Sequence, residues 1–534
     1  MKRFSIIYLC MLLLGASLVA PVAAQDEADC PQTGGTFTIG VQSMLPMDPN
    51  TAGSDWTYYV MTNINSMLFR IESGQPVPDL AESWEISEDG TIYTWHLRQG
   101  MMWQDGNEVF PEGESREVVA DDVVYSFMRQ YDDESSMLPS DIRNIFVSIE
   151  AVDDYTVVLT LSAPDAIIYD KARGLTFTAI VAEEAIEYWG DEYGLHPVGS
   201  GPFEFVSYSP DEEVVLRANE DYYITPCVDE VIFKVLPDTP AAMIALEAGD
   251  IDWWGSVTPG EYVEQFQSNE DMTVINFGCP VESRNYFSVA EAPYSDVRFR
   301  QAVAVMRDGD AINQALRGST HVHGGGTAGP GVAGYVEDLY DTYYQYDPEL
   351  AASLLDEMGI VDENGDGLRD WEGETLVIPM YATNADPAPD YVAATVDAGS
   401  QIGLTIEPVI TDTGTYNSTY NAGEAGIYFS SGWCGEGGTN SLWGRGGFAS
   451  PLGYEDEEIF ELLGAAATNL NEEERNEQLQ AVTRRVAELY WAPSYGFFNI
   501  FTVKNNYVKD FFGGEWTLNL VTDDHNVWIA EDER

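Results

Sequence analysis

The sequence predicts an α/β protein of two or three domains, and three observations lead there. Its 534 residues exceed what a single hydrophobic core usually serves. Hydrophobic residues make up 45% and aromatics 12%, enough to pack several cores and far from the composition of a disordered chain. Short strands and amphipathic helices then alternate along the whole length, the pattern of mixed sheets covered by helices.

Residues 1–24 read as an export signal. Lys2 and Arg3 give the positive start, Phe4 to about Ala20 the apolar run, and Val22-Ala23-Ala24 the small-residue cleavage site before Gln25. Cys10 lies inside the apolar run and Cys30 follows Glu27-Ala28-Asp29, so neither has a lipoprotein context. Beyond the signal the elements follow in order. TFTIGV (36–41) reads as a strand. Residues 93–98 alternate strictly, with Tyr93, Trp95 and Leu97 on one face and Thr94, His96 and Arg98 on the other, after a turn at Asp89-Gly90. A second turn at Asp105-Gly106 leads to a helix whose first turn carries Asp121 and Asp122, favourable at the positive end of the dipole. Its apolar side is Val123, Val124, Phe127 and Met128.

YTVVLTL (155–161), EVVLRAN (213–219) and EVIFKVL (230–236) read as further strands, and 241–254 as a helix stopped by Gly249 followed by a buried strand from Ile251. HPVGSGPFEF (196–205) reads as a rigid structural turn. In the later half, Asp347 caps a helix with Pro348 at its first position and Gly359 past its end. Asn471 followed by Glu474 makes a capping box for 471–490, with Leu479, Val482, Val486 and Leu489 as the apolar face. HVHGGGTAGPG (321–331) reads as a flexible loop.

The charge excludes some partners. With 90 acidic against 24 basic residues, net charge −66 and pI near 4.1, no nucleic acid or anionic membrane surface is expected to bind. An acidic shell that keeps an exported protein soluble accounts for the sign. No enzyme constellation is present: there is no H-E-x-x-H, no G-x-S-x-G and no G-x-x-x-x-G-K, and only 5 histidines. His321 and His323 could face a metal, but they sit in a glycine-rich stretch without neighbouring acids in sequence. The segment 362–372 is a better metal candidate. Asp362, Asn364, Asp366 and Asp370 take positions 1, 3, 5 and 9 of a calcium loop, Gly367 the sharp turn at 6, and Leu368 would donate a carbonyl at 7. Position 12 is Gly373, so a structural calcium and a solvated turn both stand; no other cofactor is required.

Several of these blocks together carry a resemblance. PVPDLAESWEISEDGTIYTWHLRQGMMWQDG (76–106) and VVADDVVYS (118–126) resemble the signature of the family 5 solute-binding proteins of ABC importers, the oligopeptide-binding group. Asn219 to Tyr223, AAMIALEAGDID (241–252), HPVGSGPF (196–203) and PYSDVRFRQA (293–302) resemble other blocks of that family in the same order. The resemblance implies a periplasmic-binding-protein type II clamshell of three domains, two ligand-binding lobes and an inserted one. Domain I would comprise 25–75, 196–279 and 495–534, domain II 76–195 and domain III 280–494, with hinges near 278–281 and 493–497.

It also implies a role: capture of a peptide or similar small solute for membrane permease subunits, outside the cytoplasm, by a monomer without enzymatic activity. An oligosaccharide or metal chelate is the alternative ligand, and an exported hydrolase the remote one. SGWCGEGG (431–438) resembles the stretch whose aspartate meets a peptide's ammonium in the peptide-binding branch; Glu436 occupies that place, with Trp433 as a wall and Gly435 and Gly437 permitting close approach. Tyr495, at the return crossing, joins this ligand-facing set. The resemblance implies a Cys279–Cys434 disulfide, which by elimination leaves Cys30 to pair with Cys227.

Overall fold

The structure is a computed structural model that describes residues 30–534 apart from 52–54, 73–74, 134–135, 137, 139, 170–177, 279, 386, 433–435 and 515–516. The expected signal at 1–24 and the Cys279–Cys434 pair lie outside the described residues. Among the described residues no helix is long and apolar enough to cross a membrane.

The strand Thr36–Val41 lies in the middle of a seven-stranded sheet. Phe37, Ile39 and Val41 are fully buried, as the TFTIGV alternation requires. It runs parallel to Glu230–Val235 on one side and Trp253–Trp254 on the other. Glu213–Ala218 and Phe203–Ser209 extend the first side, Phe501–Asn505 and Met272–Asn276 the second. One lobe is thus assembled from three distant stretches of chain. The Cys30–Cys227 disulfide forms, with Cα atoms 5.5 Å apart, closing 197 residues of sequence. Cys30→Ser is expected to lower stability by about 2–4 kcal/mol, read by melting under non-reducing conditions; an unchanged melting temperature would show that the bridge is dispensable.

A four-stranded antiparallel insert, Ala81–Ile86, Ile92–Leu97, Thr156–Leu161 and Phe146–Asp153 in spatial order, buries Tyr93, Trp95 and Leu97. The helix Ala120–Asp132 covers it through Val123 and Phe127. Asp122 closes the helix start, accepting from Val119 N at 2.9 Å and pairing with Arg116 at 2.7 Å. The 196–205 turn is rigid because it lies on the end of another helix: a Cβ at Gly199 would meet the Ile64 carbonyl oxygen at 2.0 Å.

The second lobe carries a six-stranded sheet in the order His321–Val322, Ser494–Phe498, Val281–Phe287, Ile427–Gly432, Val377–Thr383 and Thr405–Thr411. Two features differ from the sequence reading. The 321–331 stretch begins as an edge strand, His321 and Val322 pairing with Phe498 and Phe497. It continues buried, with Gly325 against Ser494, Tyr340 and Tyr344. The return crossing also falls at 499–500, since Ser494–Phe498 belongs to the second sheet. Helices Pro348–Glu357 and Glu472–Glu488 are capped as expected, Asp347 accepting from Leu350 N at 2.9 Å and Asn471 from Glu474 N at 3.1 Å.

Candidate functional site

The two sheets share a two-strand hinge. Met272–Asn276 pairs with Phe501–Asn505 in the first lobe, and their continuations Val281–Phe287 and Ser494–Phe498 pair in the second. Phe277 N donates to the Ile500 carbonyl at 2.9 Å between them. At this hinge each lobe presents the carboxyl ends of its parallel strands. These are Val41, Val235 and Trp254 on one side and Thr383, Thr411 and Gly432 on the other. Crevices at the carboxyl ends of parallel strands are where open α/β sheets hold ligands. The insert reaches across as well: Ala166 N donates to the Ala467 carbonyl of the second lobe at 2.8 Å, so the clamshell is closed on that side.

The strand VESRNYF (281–287) builds the floor on the second lobe and is buried at every position. Side chains alternate along it. Glu282 and Arg284 therefore share a face, where they pair at 2.8 Å with side-chain exposures of 2% and 0%. The other Glu282 oxygen accepts from Gly326 N at 3.0 Å, and Arg284 Nη2 donates to the Gly432 carbonyl at 2.7 Å. Burial pushes the Glu282 carboxyl up, against the pull of Arg284. A charged pair in the sheet thus pins the strand end from which the 433–438 motif leaves.

Trp433, Cys434 and Gly435 lie outside the described residues, as does the side chain of Glu436. The helix Glu436–Trp443 starts at Glu436 and is anchored by buried Leu442 and Trp443, the latter edge-on to Tyr286 and Tyr454. Gly437 lies in the first turn of that helix. Tyr495 belongs to the strand Ser494–Phe498 of the second sheet. It is fully buried in the second lobe's core, its hydroxyl bonded to Thr395 at 2.5 Å and to Asn285, its ring under Arg307 at 3.9 Å.

The two metal candidates have different surroundings. In the 362–370 loop, Asp362 accepts from Gly365 N and Gly367 N at 2.7 and 2.9 Å. Asn364 accepts from Asp366 N at 2.9 Å, and Asp366 from Leu368 N at 2.8 Å. Asp370 accepts from Glu363 N at 3.0 Å. The turn is closed by its own amides, and among the described residues no group of three or more His, Cys, Asp or Glu could hold a metal ion. His321 and His323 do have an acid nearby, contrary to their sequence neighbourhood: Asp310 lies 3.2 and 2.8 Å from them. Burial lowers the His321 pKa against the pull of that carboxylate.

This arrangement, two lobes facing across a paired-strand hinge with an inserted third domain, defines a type II periplasmic binding protein. The fold matches the periplasmic binding protein DppA of Helicobacter pylori, solved in complex with peptide STSA, with TM-score 0.78 and 22% identity over 94% of this chain and 99% of that one. The model for bacterial extracellular solute-binding proteins, family 5, matches residues 75–444. A dipeptide-binding protein of Escherichia coli K12 is 30% identical over 370 residues, 66% of this chain and 67% of its own. Heme-binding protein A of Haemophilus influenzae is 29% identical over 470 residues, 82% of each chain. The chain belongs to the family 5 extracellular solute-binding proteins.

Proposed function

We propose that this protein is the extracytoplasmic capture subunit of an ABC importer, taking short peptides into the crevice between its lobes and passing them to membrane permease subunits. The observation that carries the reading is the hinge: two paired strands join sheets whose carboxyl edges face one another, the arrangement that closes over a ligand. The peptide class is favoured by the relatives' ligands and by the 431–438 motif, with Glu436 as the anchor for an α-ammonium, Trp433 as wall, and Gly435 and Gly437 giving backbone access. The protein acts as a monomer and leaves its solute chemically unchanged.

Mass spectrometry of the solute that co-purifies with native protein, followed by calorimetry with di- to hexapeptides, tests this. One-to-one binding with peptides recovered intact is expected. A co-purified oligosaccharide or metal chelate, with no peptide bound, would replace the peptide reading. Calcium at 362–370 would be structural, since the loop connects a helix to a strand away from the hinge. Millimolar calcium is then expected to raise the melting temperature and leave solute affinity unchanged. Melts that superimpose with and without chelator leave a hydrogen-bonded turn.

A further inference from the structure

The inserted domain meets the second lobe by a route other than the hinge strands. The helix Glu457–Thr468 ends at this contact. Its Ala467 carbonyl, one of the last-turn acceptors that a helix cannot satisfy itself, accepts from Ala166 N of the insert at 2.8 Å. The two residues that follow Ala166 diverge. Ile168 joins the core shared by the insert and the first lobe. Ile167, 7% exposed, is buried instead in a seat formed with Leu463, Ala466 and Leu479 of the second lobe. The space left in that seat is about 10 Å3, about the least that holds one water, so the fit is close.

The loop that presents Ile167 is shaped by its own residues. Asp165 Oδ1 accepts from Ile167 N at 3.1 Å, a turn closed within three residues. The insert's turn at Asp89-Gly90 packs beside it: a Cβ on Gly90 would meet Pro164 Cβ at 3.0 Å and Leu470 Cδ1 of the second lobe at 3.2 Å. Leu470 lies between the helices Glu457–Thr468 and Glu472–Glu488 and is 54% exposed.

These contacts are slight beside the hinge, where the chain itself crosses twice. Contacts between domains of one chain release unless they are large and apolar, so this one can part while the hinge bends. With the lobes apart, Ile167 faces water on the side that Leu463 and Leu479 now cover. Closing the clamshell gains that burial, worth about 10- to 100-fold in the ratio of closed to open protein. The seat also touches the candidate site: Asn440 lines it, four residues on from Glu436 in the helix Glu436–Trp443. We propose that the insert is the latch of the clamshell: its loop Pro164–Ile167 grips the second lobe at Ala467 and beside Asn440, biases the lobes closed and slows release of the solute. The effect on release rests on the capture reading above; the closing bias does not.

Ile167→Ser removes the apolar side chain and keeps the Asp165 turn. Leu470→Asp, at an exposed position, sets a carboxylate against the Gly90 turn. Each is compared with wild type, as the full chain, by small-angle X-ray scattering without solute and by the dissociation kinetics of trialanine. Both variants are expected to keep the wild-type circular dichroism and to show a larger radius of gyration. Ile167→Ser is expected to release trialanine about 10- to 100-fold faster, with the association rate little changed. A wild-type radius of gyration in both variants overturns the latch. Expansion with unchanged release overturns its hold on the solute. If trialanine binds no form, the peptide reading fails and scattering decides alone, expansion in either variant sustaining the latch. Should Ile167→Ser lose the wild-type circular dichroism, Leu470→Asp decides by the same readings.

Discussion

Arg284→Met is expected to destabilise the protein by about 3–5 kcal/mol, because it leaves Glu282 buried without its partner. The geometry makes the loss specific. Glu282 keeps only the Gly326 amide at 3.0 Å and the Ser494 hydroxyl as partners, and the Gly432 carbonyl loses its donor at 2.7 Å. The pair itself is worth far less than its disruption, since two desolvated charges offset most of their mutual attraction. The double variant Glu282→Leu with Arg284→Met is therefore expected to recover most of the stability. Chemical denaturation of both variants checks this. A single variant within about 1 kcal/mol of wild type would show that solvent or a relaxed side chain takes over Arg284's role.

The same pair shows where the sequence stops being legible. Strands with one buried face announce themselves: the alternation at 93–98 and the apolar TFTIGV run give both element and facing, because one neighbour shell decides each residue. VESRNYF carries two charges at i and i+2, and nothing local to it predicts that both are buried. Burial there depends on Gly326, Gly432 and Ser494, none close in sequence. Two charges of opposite sign on one strand face, inside a chain otherwise so acidic, were the available signal.

The edge strand His321–Val322 was illegible for a related reason. Its partners Phe497 and Phe498 lie far along the chain, and its glycine-rich continuation looks like loop until Tyr340 and Tyr344 are packed against it. The helix Glu436–Trp443 has no cap signal in the sequence, and it is held from its far end by buried Leu442 and Trp443. By contrast the capped helices at 348–357 and 472–488 were readable to within a residue or two, because caps are local chemistry.

Glu436→Gln is expected to weaken binding of a peptide with a free N-terminus by about 2–5 kcal/mol, roughly 30- to several-thousand-fold. Two roles compete for this carboxylate. It opens the helix Glu436–Trp443, where a negative charge favours the positive end of the dipole by about 0.3–1 kcal/mol. In the proposed role, closure of the lobes would exclude water from the ammonium it meets. The magnitudes separate the roles. A helix-start role alone lowers the melting temperature slightly and leaves affinity in place. An ammonium anchor loses affinity in proportion to a charge-assisted contact, and N-acetylating the peptide does the same to wild type. Acetylated peptide on the Glu436→Gln variant then shows little further loss, because both changes remove one interaction. If acetylated and free peptides bind wild type equally, Glu436 belongs to the helix start and a solute without an ammonium takes the crevice.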